Sequence, residues 1–332
     1  SFPRRVRLAC LTCLACLTSI APGLAVPMAG LTMAGLTMAG LTMAGLIMAC
    51  LTCLNSCLAP PHAVPHPDPA APIEIGTFNI RYANDGDGVN AWSKRSNLVL
   101  SILNAGDFWG LQEALPSQVE QIARALPEWK MIVRTREKDP AKGEACPILY
   151  RADRWRPDPQ ECGTFWLSES PESAGSRSWD SSLPRICTFA RFTSVSDARA
   201  ITVFNLHLDH QGTRARLEAA RLVAARIGAR KHSHEPFVVL GDFNCGPSSN
   251  PIKHLLSEAN LGLQDAWRVT HRDAAEQPTF NGWRERCEGE RIDWILASPT
   301  LVVEHAEIDA AKRDGRWPSD HALIRARFRI AR

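Results

Sequence analysis

The stretch Phe237-Val238-Val239-Leu240-Gly241-Asp242-Phe243-Asn244 constrains the fold of this chain more than any other. Four apolar residues, two of them β-branched, predict a buried strand. Gly241 is expected to end it, and Asp242 and Asn244 then follow two residues apart. In extended backbone that spacing turns both polar side chains to one face and sends Phe243 into the core. A carboxylate and an amide held side by side can take a proton from water and donate hydrogen bonds to an oxyanion. The same residues also suit an ordinary turn. What weighs for chemistry is that other apolar strands along the chain carry polar clusters of the same kind.

Ile73–Tyr82 reads as a strand with Asn79 inside it, and a buried asparagine needs a partner or a ligand. Asn84-Asp85-Gly86-Asp87-Gly88 is a polar loop resembling the start of a calcium loop, but the terminal glutamate is missing. Ser93 is placed to cap a helix running to Asn104. A strand over Asp107–Gln112 then runs into Glu113. Beside an asparagine from another strand, Glu113 offers oxygen to a hard cation; alone it equally suits the first turn of the helix predicted over Pro116–Leu126. Further strands are predicted over Trp129–Val133, Cys146–Tyr150 and Trp155–Glu161.

Phe165–Arg185, with Trp166 and Trp179 among Ser and Pro, fits either the wall of a pocket or a cap on a sheet. Ile186–Val195 and Ala200–Asp209 pair as strands. Alternation in the second puts Asn205, His207 and Asp209 on one face, opposite Phe204, Leu206 and Leu208. Leu217, Ala220, Ala224 and Ile227 define a helix over Thr213–Lys231, and a short helix is expected near Pro251–Ser257. Arg291–Leu296 carries Asp293 in mid-strand, where an unpaired carboxylate is costly and needs an arginine or a cation. Ser319-Asp320-His321 precedes a closing strand, Ala322–Ile330. At a turn there, Asp320 can orient His321.

The first 71 residues are of another kind. No charged residue occurs from Leu8 to Pro67, and a Met-Ala-Gly-Leu-Thr unit repeats through Met28–Gly45 behind Arg4, Arg5 and Arg7. Such an apolar leader, assigned to 1–58, suits a secretory signal or membrane anchor. Leu54-Asn55-Ser56-Cys57 has some features of a lipoprotein processing site, although Asn55 fits poorly. Residues 59–71 form a proline-rich linker, and the folded domain is expected over 72–332. From Ala71 onward there are 35 basic and 34 acidic residues. That balance does not favour a long duplex, which recruits strongly basic surfaces. The cysteines show no metal-like grouping in the folded domain, where a disulfide can be neither assigned nor dismissed.

The order of the motifs is more specific than any one of them. Phe78-Asn79-Ile80-Arg81, Gly110-Leu111-Gln112-Glu113, Asn205-Leu206-His207, Gly241-Asp242-Phe243-Asn244, Ile292-Asp293-Trp294-Ile295 and Ser319-Asp320-His321 together resemble the endonuclease/exonuclease/phosphatase superfamily, in particular its bacterial metal-dependent branch near the deadenylase and nocturnin-like enzymes. The resemblance implies an α/β four-layer sandwich of two mostly antiparallel β-sheets with helices outside. It implies Mg²⁺ or Mn²⁺ held by Glu113, with Asn79 close to metal and phosphate and with Asp293 binding metal or polarising the site. Asp242 would orient or deprotonate water, Asn244 and His207 would bond phosphoryl oxygens, and Asp320 would orient His321. Tyr150 and Arg185 would face the phosphate. The expected substrate is a phosphate ester: a nucleotide, nucleic acid, inositol phosphate or phospholipid headgroup. A phosphodiester is favoured over a phosphomonoester. A non-catalytic binding module on the same fold is the different-class alternative. A serine or cysteine nucleophile has no support, since no Gly-x-Ser-x-Gly elbow occurs and Cys245 lacks an evident base. A monomer is expected, with membrane contact through the leader.

Overall fold

The computed structural model describes residues 71–331, apart from 198 and 259. The chain divides at Pro65/His66 into two units, and the second contains every described residue. The leader, its processing site and nearly all of the linker lie outside the described residues. Among the described residues no helix is long and apolar enough to cross a membrane.

Twelve strands and five α-helices are described. The strands are β1 (Ile73–Asn79), β2 (Phe108–Gln112), β3 (Trp129–Ile132), β4 (Ile148–Arg151), β5 (Trp155–Trp166), β6 (Ile186–Ser194), β7 (Ala200–His207), β8 (Phe237–Asp242), β9 (Gln264–Asp265), β10 (Asp293–Ala297), β11 (Leu301–Asp309) and β12 (Leu323–Ile330). The helices are α1 (Trp92–Leu103), α2 (Pro116–Ala125), α3 (Thr213–Gly228), α4 (Asn250–Ser257) and α5 (Ala266–Thr270). Two six-stranded sheets form, ordered β11-β12-β1-β2-β4-β3 and β5-β6-β7-β8-β10-β9. Only β1–β2 and β7–β8 are parallel pairs; the other neighbours are antiparallel.

Period-two alternation builds the layers. Ile73, Ile75, Val203, Val238, Leu240, Ile295 and Ile324 point inward and form the core between the sheets. The residues between them point outward. Phe78 and Leu111 pack beneath α1 and α2 with Val99 and Ile122. Phe204, Leu206, Val239 and Leu296 pack beneath α3 and α4 with Val223 and Leu255. The result is the expected α/β/β/α sandwich.

Several local details differ from the sequence reading. Ser93 lies inside α1, and Ala91 stands at its N-terminus without a side-chain cap. β5 extends past Glu161 to Trp166 by means of a bulge between Pro157 and Cys162. The calcium-like loop is a 3₁₀ turn over Asp85–Asn90 whose Asp87 is clasped by Arg81. Gly241 does not end β8 but continues it, at φ 141°. A Cβ there would lie 1.9 Å from the Leu206 carbonyl oxygen, so only glycine allows β7 and β8 to stay paired at this point.

Candidate active site

Following the inward-facing positions along the strands leads from oil to charge. Beyond the apolar core comes a layer of uncharged polar groups. Gln112 Nε2 donates to Thr77 Oγ1 (3.1 Å) and Asn205 Oδ1 (2.7 Å). Asn205 Nδ2 donates to the carbonyls of Leu111 and Pro147, both at 2.8 Å. Asn205 therefore ties one sheet to the other instead of lining a site, and Gly110 leaves it room, since a Cβ there would meet its side chain at 2.8 Å. The next inward positions are Asn79, His207, Asp242 and Asp293, all at strand ends on one edge of the sandwich. Register does the rest, because Asp242 is the direct neighbour of both His207 and Asp293.

Just beyond the strand ends the backbone reverses. Arg81, Glu113 and Asn244 adopt φ of 54°, 61° and 50°, a left-handed conformation that costs non-glycine residues about 1–2 kcal/mol each. The reversal fixes Glu113 by two hydrogen bonds, from Asn79 Nδ2 (3.1 Å) and Tyr82 N (3.1 Å). It also folds the Asn244 amide back, so that its backbone N–H donates to Asp242 Oδ1 at 2.8 Å. These residues open onto a cavity of about 350 Å³ lined among others by Glu113, Arg185, His207, Asp242, Asp320 and His321.

Asp242 is its centre. Its Oδ2 accepts from Asn79 Nδ2 at 3.0 Å and lies 3.4 Å from His207 Nε2 and 3.8 Å from His321 Nε2. Burial, then the neighbouring Asp293 carboxylate, push its pKa up. The two histidines diverge. Burial and then Arg185 and Arg136 hold His207 well below the usual range, so it is neutral. Its Nε2 accepts from Asn244 Nδ2 at 3.0 Å, which assigns the ring proton to Nδ1. Burial also acts to lower His321, but Asp293, Asp242 and Asp320 outweigh it and hold His321 well above the usual range. Asp293 Oδ2 is 2.9 Å from His321 Nδ1, and Asp293 Oδ1 is buried without a hydrogen-bond partner, so His321 is the charge that compensates this acid.

Three expectations are corrected. Asp293 and Asp320 exchange parts: Asp293 orients His321 from behind, whereas Asp320 lines the cavity. The sequence neighbour points elsewhere, its carboxylate meeting Ser319 Oγ (3.2 Å) and Arg81 Nε (3.8 Å). Asn244 has no free amide hydrogen for a phosphoryl oxygen, because both are engaged, by His207 and by the Leu208 carbonyl. Tyr150 is not at the site. It stands at the far end of β4 opposite Phe108, and its ring packs on Phe192 with centroids 5.0 Å apart.

Arg185 does reach the cavity, with Nη2 on His210 Nδ1 (3.0 Å) and Nε 3.5 Å from Asp209 Oδ2. The tryptophans of the long loop do not. Trp166 is buried and donates to the Arg136 carbonyl, and the aromatic side chains of the lining are Tyr82 and Phe280. Arg136 and Glu144, a bidentate pair at 2.7 and 2.8 Å, also line the cavity. No sequence signal marked them, since they meet across the connection between β3 and β4. Cys245 is buried, and burial pushes its thiol up to about 11, the opposite of an activated nucleophile. The five described cysteines are free.

The donor set fits a hard divalent cation. Glu113 and Asp320 present carboxylates to the same cavity, and Asp320 is raised by burial and, despite His321, by the Glu113 charge. Oxygen ligands crowded in this way are what such a cation neutralises. Asp242, Asp293 and His321 also bring ligand atoms within 4.8 Å of one another; the Asp293–His321 bond uses Oδ2 and Nδ1 and leaves Asp293 Oδ1 and His321 Nε2 free of it.

The acids, amides and cationic His321 at the open edge of this two-sheet sandwich suit phosphate-ester hydrolysis. The chain belongs to the Endonuclease/Exonuclease/phosphatase family, whose model matches residues 76–321. A solved endonuclease/exonuclease/phosphatase from Bacteroides vulgatus is 30% identical with a TM-score of 0.72, and the match covers 78% of this chain and 99% of that one. A mannosyl-6-phosphatase from Bacteroides thetaiotaomicron is 29% identical with a TM-score of 0.68, covering 77% and 99%. Human nocturnin is 27% identical over 101 residues, 27% of this chain and 23% of nocturnin, so the chain spans about a quarter of the length of the curated relatives it matches. The solved catalytic domain of human nocturnin, at 18% identity and a TM-score of 0.63 over 78% of this chain and 95% of that one, shares the fold.

Proposed function

We propose that this protein is a Mg²⁺- or Mn²⁺-dependent phosphatase acting on a small polar phosphomonoester. The observation that carries the chemistry is the position of Asp242, held by Asn79 and Asn244 with its Oδ2 3.4 Å from His207 Nε2 and 3.8 Å from His321 Nε2. Glu113 and Asp320 would hold the cation, with Asn79 fixing Glu113 in place. When bound, it neutralises phosphoryl charge and polarises the ester. Asp242, raised toward neutrality, takes the proton of the attacking water. His321, kept cationic by Asp293, donates from Nε2 to a phosphoryl oxygen, and Arg185 orients the same group. His207, pinned by Asn244, limits where water can stand beside Asp242.

The monoester reading replaces the expected diester for two reasons. The tryptophan loop supplies no stacking platform to the cavity, and three guanidinium groups, of Arg81, Arg136 and Arg185, line it. The likeness to a mannosyl-6-phosphatase supports the same class. The experiment is hydrolysis of p-nitrophenyl phosphate against its bis-ester. Chelator should abolish the preferred reaction, Mg²⁺ or Mn²⁺ should restore it, and Asp242→Asn should not be rescued. Full activity in chelator removes the cation, and preference for the bis-ester restores the diester. Export through the leader belongs to the same proposal, and intact precursor in the cytosol overturns that part.

A further inference from the structure

Arg95 lies in the first turn of α1 and is 1% exposed. A buried guanidinium ordinarily needs a carboxylate in contact. Arg291 has this, with Asp265 at 2.9 and 2.5 Å and Glu276 at 3.0 Å. Arg95 has none. It donates only to main-chain carbonyls: from Nε to Asn90 (2.8 Å), from Nη1 to Ile80 (2.6 Å) and Pro318 (2.9 Å), and from Nη2 to Arg81 (2.9 Å). Its guanidinium stands between the rings of Trp92 and Trp283, at 5.1 and 5.3 Å.

The segments joined in this way are the two that carry the acid side of the cavity. Ile80 and Arg81 follow Asn79 directly, and Pro318 precedes Ser319-Asp320-His321. No strand pairing fixes Asn79 against Asp320, because β1 meets β12 only from Thr77 and Ile324 outward. The joint depends on side chains. Besides Arg95, Ser319 Oγ donates to the Asn79 carbonyl at 2.6 Å. The loop bearing Trp283 holds the same turn, with Asn281 N on the Asp320 carbonyl (2.8 Å) and Asn281 Nδ2 on that of Ser319 (3.1 Å).

We propose that Arg95 is a positioning residue that sets the spacing between the Asn79–Glu113 side and the Asp320–His321 side of the active site. A fork of donors is required, since two of its nitrogens reach three carbonyls on two segments; a lysine ammonium cannot span them. This inference rests on the hydrolase reading above.

The test compares Arg95→Lys, Ser319→Ala and the double variant with Arg291→Lys, a buried arginine outside the site. Arg95→Lys should lower kcat roughly 10- to 100-fold with little change in KM, as misplacement of reacting groups does. Its effect should be non-additive with Ser319→Ala. Amide hydrogen exchange should quicken at 80–83 and 319–322 in Arg95→Lys. Arg291→Lys should lose stability and keep kcat. Folded Arg95→Lys with wild-type kcat and wild-type exchange overturns the proposal, as does an equal kcat loss in Arg291→Lys. If Arg95→Lys does not fold, folded Ser319→Ala decides: lowered kcat with faster exchange at 319–322 supports the joint, and wild-type values overturn it. If the wild type cleaves no phosphate ester, the hydrolase reading fails by itself, and the exchange comparison still decides whether Arg95 holds the joint.

Discussion

His321 and Asp293 are 28 residues apart in sequence and 2.9 Å apart in space, Nδ1 to Oδ2, with both side chains almost wholly buried. The pairing keeps His321 cationic and leaves its Nε2 facing Asp242. Asp293→Asn keeps the shape and removes the charge. We expect kcat to fall roughly 10²–10⁴-fold, the range for loss of a positioned proton donor, with the fold retained by circular dichroism. A kcat within threefold of wild type would show that the pair is structural.

Arg185 and Tyr150 separate cleanly. Arg185→Gln should raise KM for a phosphomonoester roughly 10- to 100-fold, the equivalent of one charge-assisted hydrogen bond. Tyr150→Phe should leave both kinetic constants unchanged, because its ring faces Phe192 in the core. Steady-state kinetics on the two variants checks both statements.

Gly241→Ala forces a side chain into the Leu206 carbonyl at an unfavourable φ. A loss of about 2–4 kcal/mol is expected from the overlap and the strain together, read as a lower denaturant midpoint. A change below about 0.5 kcal/mol would mean that β7 and β8 are not paired as described.

Asn205→Leu leaves the Leu111 carbonyl without its side-chain donor, while the Pro147 carbonyl keeps Leu111 N and the Gln112 amide keeps Thr77 Oγ1 and the Gly110 carbonyl. One buried acceptor without a partner costs about 1–3 kcal/mol, and stability should drop by that amount. Chemical denaturation is the measurement.

Asp209 contributes to the pH dependence of stability. Burial acts to raise it, but hydrogen bonds from Gly212 N, Ser182 Oγ and Gln211 N prevail and hold it well below the usual carboxylate range. A carboxylate depressed by folding contributes stability above its unfolded pKa of about 3.9, and loses it as pH falls through the folded value. Asp209→Asn should therefore lower the melting temperature at pH 7, and the difference from wild type should shrink toward pH 2.

The sequence made strand positions and polar ends legible because a strand's period is two: Phe204, Leu206 and Val239 had to face one way, and His207 and Asp242 the other. It therefore placed Asn79, Glu113, His207, Asp242 and His321 in one cleft from pattern and motif order. It put Asn205 on the polar face of its strand but could not show that this face meets a second sheet, since alternation reports a face and not what lies against it. It also assigned Asp320 to His321, because chain neighbours are visible in a sequence and strand register is not.

The sequence by itself determined which side chains of a strand share a face, a local consequence of side-chain chemistry and backbone alternation. Only the tertiary structure decided partners: Asp293 with His321, Arg136 with Glu144, and Arg95 with carbonyls of Ile80 and Pro318. Those pairings depend on which strands lie side by side and how far each is shifted, a sum of contacts over the whole sandwich that no single stretch contains.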